Sequence, residues 1–182
     1  MDSSDDATVL IVDDESDLVE LFAAFLEPYY SVRTATDGEE ALDLVDETID
    51  VVLLDRRMPE MSGDEVLTAI RERGFTCQVA MLTGVKPAEN IVEMPFDDYR
   101  VKPINKAELV SLVEVLLERS TFDERSQQFF RLASKKAALE LGDKTNTEAY
   151  ESIVGRMDEL RQEINGSLDD VSEIASMGEL SV

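Results

Sequence analysis

Four short runs in this sequence stop on residues that carry chemistry. Ile49-Asp50-Val51-Val52-Leu53-Leu54 stops on Asp55, and Thr8-Val9-Leu10-Ile11-Val12 stops on Asp13-Asp14-Glu15. Gln78-Val79-Ala80-Met81-Leu82 stops on Thr83-Gly84, and Asp98-Tyr99-Arg100-Val101 runs into Lys102-Pro103. Apolar runs of this length, bounded by breakers, are expected of parallel strands buried on both faces. Ligands of such sheets gather beyond the carboxyl ends of the strands, so Asp13, Asp14, Asp55, Thr83 and Lys102 are expected at one edge. Carboxylates crowded together repel one another, which raises their pKa values unless a cation sits among them. Mg2+ suits such a set because it prefers oxygen ligands and keeps waters in its remaining positions, with the backbone carbonyl of Arg57 in reach as one more ligand. With Lys102 and the metal neutralising an incoming phosphoryl group, Asp55 is placed to act as a carboxylate nucleophile and become an acyl phosphate. Thr83 offers a hydroxyl to another phosphoryl oxygen. Its inward movement would vacate space for the ring of Tyr99, a two-state element that couples the chemistry to a surface.

The elements that must position these residues follow in order. Ser31 to Ala35 is expected as a further strand. Helical spacing recurs over Leu18 to Leu26, Ala41 to Val45, Val66 to Ile70 and Leu109 to Leu117, with a weak helix over Pro87 to Met94. Asn105 suits the cap of the helix that follows Lys102, and Gly74 suits a helix end. Five strands alternating with five helices over the first 120 residues or so predict a doubly wound parallel sheet. Beyond Ser120 the strand signal stops. Phe129, Leu132, Ala133, Ala137 and Leu141 form one apolar stripe, with Thr121-Phe122-Asp123-Glu124 as a candidate capping box before it, and the spacing leaves one helix or two over 105–141. Thr147 is expected to cap another helix, whose positions Tyr150, Ile153, Met157, Leu160, Ile164, Leu168, Val171 and Ile174 make a coiled-coil-like seam. The two form an antiparallel hairpin too small to hold a core alone, so it must pack on the sheet, on a second copy or on a partner. Lys135, Lys136 and Arg131 are the sole basic cluster there and are expected to form a solvated face.

Composition narrows the function. The 182 residues carry 41 Asp and Glu against 17 Lys and Arg, a net charge of −24. That field disfavours contact with nucleic acid and anionic membrane. Because 43% of the residues are hydrophobic, the acidity is read as solvation in a salt-loving source rather than as disorder. The single cysteine, Cys77, excludes an internal disulfide, fits a reducing, cytoplasmic compartment and is expected as a buried hydrophobe. The acidic start, Met1 to Asp6, lacks the apolar core of a signal peptide, and no run is long enough to span a bilayer. The absence of histidine removes the usual general base.

Residues 7–119 resemble the receiver domain of two-component response regulators. The motifs that carry the resemblance are Val12-Asp13-Asp14-Glu15, Asp55-Arg56-Arg57-Met58-Pro59 with Gly63, Thr83-Gly84, and Tyr99-Arg100-Val101-Lys102-Pro103. The resemblance implies the flavodoxin-like sheet of order 2-1-3-4-5. It also implies Asp55 as phosphoacceptor from a histidine kinase, Asp13 and Asp14 holding Mg2+ with Asp55, Thr83 and Tyr99 as the switch pair, and Lys102 on the phosphoryl group. Glycine follows Thr83 where alanine is frequent, and Arg57 occupies a position that in receivers influences hydrolysis of the acyl phosphate. Residues 120–180, with Phe129-Phe130-Arg131-Leu132-Ala133-Ser134-Lys135-Lys136, resemble the HalX domain found behind receivers in haloarchaea, and would form the output domain.

The expected function is a phosphorylation-controlled switch in transcriptional or signalling regulation, not an enzyme beyond its own phosphorylation and dephosphorylation. Its output would pass through a protein partner, or through a homodimer made by the receiver or the tail. An aspartyl-nucleophile phosphatase is disfavoured, since such enzymes place a second carboxylate two residues after the nucleophile and Arg57 stands there. A receiver fold serving as an unphosphorylated interaction scaffold is the remaining alternative.

Overall fold

The computed structural model describes residues 7–178, with side chains through residue 166. The acidic start and the seam positions Leu168, Val171 and Ile174 therefore lie outside the described residues and side chains. Strands β1 (Thr8–Val12), β2 (Ser31–Ala35), β3 (Val51–Leu54), β4 (Gln78–Thr83) and β5 (Asp98–Val101) form one parallel sheet in the order β2-β1-β3-β4-β5. The three central strands are the continuous apolar runs. Every residue of β3 and β4 is buried, as is all of β1 beyond its first residue.

Helices α1 (Ser16–Leu26) and α4 (Lys106–Ser120) cover one face of the sheet. Their apolar stripes, Val19, Phe22 and Leu26 with Leu109, Leu112, Val113 and Leu116, enclose Val9, Ile11, Val51 and Leu53. The opposite face carries α2 (Gly38–Leu44), α3 (Gly63–Glu72) and, in third place, the tail. The connection from β4 to β5 differs from the expected weak helix: residues Glu89–Glu93 form only a 3-10 turn. The segment has too little apolar surface to hold a helix against the sheet, with only Ile91 of the turn buried.

Residues 105–141 make two helices. Helix α4 ends at Ser120 and α5 runs from Glu124 to Leu141. The cap of α5 is Asp123 rather than Thr121: its carboxylate accepts from the amides of Arg125 and Ser126, while Thr121 turns its hydroxyl back to Glu118 O. Helix α6 (Glu148–Gly178) follows, with Thr147 Oγ1 accepting from the amide of Tyr150 as expected. The hairpin packs on the sheet, and Ala138, Leu139, Ile153 and Met157 join the core that contains Ile91, Phe96 and Tyr99. This corrects the predicted stripe at its far end, where Ala138 and Leu139 are buried and Leu141 is 56% exposed. A helix wedged between a sheet and a second helix buries a wider arc than a one-sided stripe. Cys77 is buried, and burial pushes its thiol above the ordinary value.

Helix α3 begins against the strand end that carries Asp55. Gly63 N donates to Arg56 O at 2.8 Å, and a Cβ on Gly63 would lie 2.1 Å from Asp55 O and 2.9 Å from Arg56 Cα. The expected outcome of Gly63→Ala is a loss of about 1–3 kcal/mol, as for other overpacked sites. Urea unfolding at constant KCl measures it, and a change under about 0.5 kcal/mol would show that the loop yields without cost.

Candidate functional site

Strand register brings the expected residues together. Val12 pairs with Leu54, and the amide of Asp55 donates to Val12 O at 2.8 Å, so Asp13 and Asp55 leave adjacent strands side by side. Thr83 pairs with Val101, and Lys102 N donates to Thr83 O at 2.8 Å, which sets Lys102 beside the end of β4. Asp13 and Asp55 are buried, whereas Asp14 is exposed. The same cleft, about 790 Å3, is lined by Asp14, Asp55, Arg57, Thr83 and Lys102.

The charges are arranged around a cation. Lys102 Nζ donates to Asp13 Oδ2 and stands 3.5 Å from Asp55 Oδ1. Burial opposes the charge on Lys102, but the Asp13 hydrogen bond and the Asp55 carboxylate hold its pKa above the ordinary lysine value. Burial pushes the Asp55 carboxyl up to about 6, with the Asp13 carboxylate adding to the rise and Lys102 opposing it. The Asp13 Oδ1 atom also accepts from the amide of Glu15 at 2.9 Å, which fixes the β1–α1 turn.

The donor set fits a small hard cation. Oxygens of Asp13, Asp14 and Asp55 all lie within 4.8 Å of one another. Octahedral Mg2+ with ligands near 2.1 Å needs neighbouring oxygens roughly 3 Å apart and opposite ones roughly 4.2 Å apart, so small adjustments suffice. One exposed carboxylate in the set leaves the site open to water.

Both switch candidates are bonded to Val85. The Thr83 hydroxyl accepts from the amide of Val85 at 3.2 Å. The Tyr99 ring is already inward, 5% exposed, and its hydroxyl donates to Val85 O at 2.9 Å. Burial pushes the Tyr99 phenol above its ordinary value, with the neighbouring Arg56 guanidinium opposing. Arg56 itself is clamped to Asp64 by three hydrogen bonds, 2.9, 3.1 and 3.3 Å, tying the Asp55 loop to the first turn of α3.

Sequence reasoning missed a second charged cluster, at the other end of β5. Asp97 and Asp98 are buried. The Asp97 Oδ2 atom accepts from Val79 N and Arg71 Nη2, both at 2.8 Å, while its Oδ1 accepts from Arg131 Nε at 2.7 Å. Arg119 reaches Asp98 Oδ2 at 3.2 Å and Ser134 Oγ at 3.1 Å. This overturns the solvated-face reading of Arg131 and Lys135. Arg131 pairs with a buried carboxylate, and Lys135 Nζ donates to Val92 O at 2.6 Å over the ring of Phe96; only Lys136 pairs locally, with Glu140. The available signal was two adjacent acids opening a strand opposite three arginines, visible only once the hairpin's docking is known.

This is the fold of a response regulator receiver domain. The chain belongs to the response regulator family: residues 9–114 match the response regulator receiver domain and residues 118–180 the HalX domain. A Haloferax volcanii protein described as a "Putative transcriptional regulator" is 47% identical over 159 residues, 85% of this chain and 27% of that protein. The transcriptional regulatory protein CpxR of Escherichia coli is 37% identical over 122 residues, 65% of this chain and 53% of the relative. The chain thus spans from about a quarter to half the length of these curated relatives. Among solved structures, a CheY-like receiver domain from Methanospirillum hungatei superposes with TM-score 0.58 at 27% identity, covering 62% of this chain and 94% of that one. The response regulator TrrA of Thermotoga maritima, in complex with Mg2+ and BeF, gives 0.54 at 35% identity, covering 61% and 99%. No helix among the described residues is long and apolar enough to cross a membrane.

The raised Asp55 pKa has a defined linkage sign. The folded state binds the proton more tightly than the unfolded chain, so the contribution of Asp55 to stability is most favourable below pH 4 and is lost as pH rises through about 6. Without Mg2+, Asp55→Asn is therefore expected to gain about 1–2 kcal/mol over the wild type at pH 7.5, with the difference vanishing near pH 4. Urea melts of both proteins across that range at fixed KCl measure it; a pH-independent difference contradicts the assignment.

Proposed function

We propose that this chain is a phosphorelay switch in which Asp55 accepts a phosphoryl group from a histidine kinase. The observation that carries the reading is the convergence of Asp13, Asp14 and Asp55 on the charged end of Lys102, at the mouth of a parallel sheet. In the transfer, an Asp55 carboxylate oxygen bonds to phosphorus while the phosphorus–nitrogen bond to the kinase imidazole breaks, its electron pair returning to the ring. Asp13, Asp14, Asp55 and the carbonyl of Arg57 would hold Mg2+, which when bound neutralises charge on the phosphoryl oxygens. Lys102 offers a second, fixed positive charge to those oxygens. Thr83 offers a hydroxyl, and in turning to the phosphoryl group it gives up the amide of Val85. Tyr99, bonded to the carbonyl of the same residue, follows that change and completes the switch pair.

In this reading residues 7–119 are the phosphoacceptor unit and residues 120–180 the output unit, acting in the cytoplasm of a salt-adapted cell. Direct nucleic-acid binding by the tail is disfavoured, because Arg131 and Lys135 already hold groups of the sheet domain. The output then passes to a protein partner in transcriptional or signalling control. The chemistry is confined to acceptance and hydrolysis of the phosphoryl group on Asp55.

Phosphate-affinity gel electrophoresis in high KCl with Mg2+ and acetyl phosphate tests this. A slowed band is expected for the wild type with Mg2+, none without the metal, and none for Asp55→Asn. Folded wild type that never shifts in the presence of Mg2+ would leave the scaffold reading in its place.

A further inference from the structure

Helix α6 outruns its neighbour in the hairpin. Arg125, the second residue of α5, stands 3.9 Å from Glu163, so α5 has its start beside that point of α6. The α6 backbone continues to Gly178, about 22 Å further at 1.5 Å per residue. An isolated helix of that length is marginal in water, and this one contains Gly166, which costs up to about 1 kcal/mol relative to alanine. A Cβ on Gly166 would meet nothing within 4 Å, so packing inside one copy does not call for the glycine. The apolar positions nevertheless go on in sequence past the start of α5: Leu168, Val171 and Ile174 continue Met157, Leu160 and Ile164 at steps of three and four.

Beside the root of this overhang lies an apolar groove of about 350 Å3, lined by Ser126, Phe129, Phe130, Arg161, Ile164 and Asn165. Phe122, 44% exposed, packs edge-on against Phe130 at 5.4 Å and extends the apolar surface. Arg161 stands over the Phe129 ring at 5.7 Å. Arg125 and Arg161 are both exposed, each with one loose acidic neighbour, Glu163 at 3.9 Å and Asp158 at 3.4 Å. The overhang, residues 167–178, has the complementary charge: Asp169, Asp170 and Glu173, with no Lys or Arg. A straight helix carries this segment away from the groove of its own copy, so the groove it can reach is that of a second copy.

We propose that the chain forms a homodimer in which residues 167–178 of each α6 lie antiparallel in the α5–α6 groove of the other copy, the two helices crossing near Gly166. The contact is isologous and closes on itself, because each copy gives one overhang and one groove. The acids of each overhang meet Arg125 and Arg161 of the other copy, and the absent side chain of Gly166 lets the two backbones approach. Concentrated salt screens the repulsion between two chains of net charge −24 and leaves the apolar contact at full strength, so high KCl favours the pair. The pairing does not rest on the phosphoacceptor reading.

Multi-angle light scattering of the full chain in high KCl, without phosphodonor, tests this. The wild type is expected at twice the 20.3 kDa mass of one chain. Val171→Glu on the overhang and Ile164→Glu in the groove, both apart from the sheet core, are each expected to weaken the dimer about thirtyfold or more, since each sets a charge in the apolar contact. A monomeric wild type overturns the proposal, and so does a dimer that survives both substitutions. Cysteine crosslinking tests the orientation, with the native Cys77 buried. Mild oxidation is expected to link two copies of Asn165→Cys, beside the crossing, but not two copies of Ala175→Cys, which stand about 27 Å apart along antiparallel helices. Crosslinking of both variants marks a parallel pair, and that or any other pattern overturns the seating in the groove.

Discussion

A lysine held among buried aspartates at the mouth of the sheet is the constraint on which this structure depends. Asp13 and Asp55 are withdrawn from water, and a cation in their midst offsets the cost of burying charge there. Lys102 supplies it from the far side of β4, so the sheet must bring the ends of β1, β3 and β5 into one small volume. That requirement fixes the strand order, since β1 and β3 are neighbours and β5 follows one strand beyond. The all-apolar central strands are the means: each pairs on both edges and is covered on both faces, leaving little freedom of register.

The same physics recurs at the other end of β5. Asp97 and Asp98 are as deeply buried as Asp13, and they are held by arginines from three different helices: Arg71 of α3, Arg119 of α4 and Arg131 of α5. A strand of only four residues is therefore fixed at both ends by charge, with Tyr99 between them. Truncating one partner of a buried pair usually costs far more than the pair contributes, so such clusters specify an arrangement more than they stabilise it. Here the arrangement they specify is the seat of the hairpin. A short strand held at one end beside the Asp13–Asp55–Lys102 cluster and at the other by the tail is a mechanical link between the two.

The sequence made the sheet legible because its signals are local. Apolar runs of four to six residues ending on Asp13, Asp55, Thr83 and Lys102 identify both the strands and the edge where they meet, and the caps Asn105 and Thr147 lie where their side chains indicate. Where the reading went astray, the deciding partner was distant in sequence. Arg131 and Lys135 read as a solvated face because Asp97 and Val92 lie more than thirty residues away. The stripe on α5 was misplaced at Leu141 for the same reason: its burial is set by two surfaces at once, and periodicity along one helix reports only one. Asp123 replaced Thr121 as the cap because Thr121 closes α4, its hydroxyl turned back to Glu118 O, and there local sequence carried two comparable signals.

Charge economy explains why these distant pairs sit where they do. With 41 acids against 17 bases, most carboxylates have no cation available and must face water. Some arginines form exposed surface pairs, but four of them, Arg71, Arg100, Arg119 and Arg131, converge on Asp97 and Asp98, and one lysine serves Asp13 and Asp55. In concentrated salt the Debye length falls to about 3 Å at 1 M, so exposed pairs lose most of their attraction while partly buried ones are screened much less. A strongly acidic chain therefore retains electrostatic specificity only where its cations are withdrawn from solvent. Among the described residues the Lys102 cluster, the Arg56–Asp64 clamp and the hairpin junction are places where this chain does so.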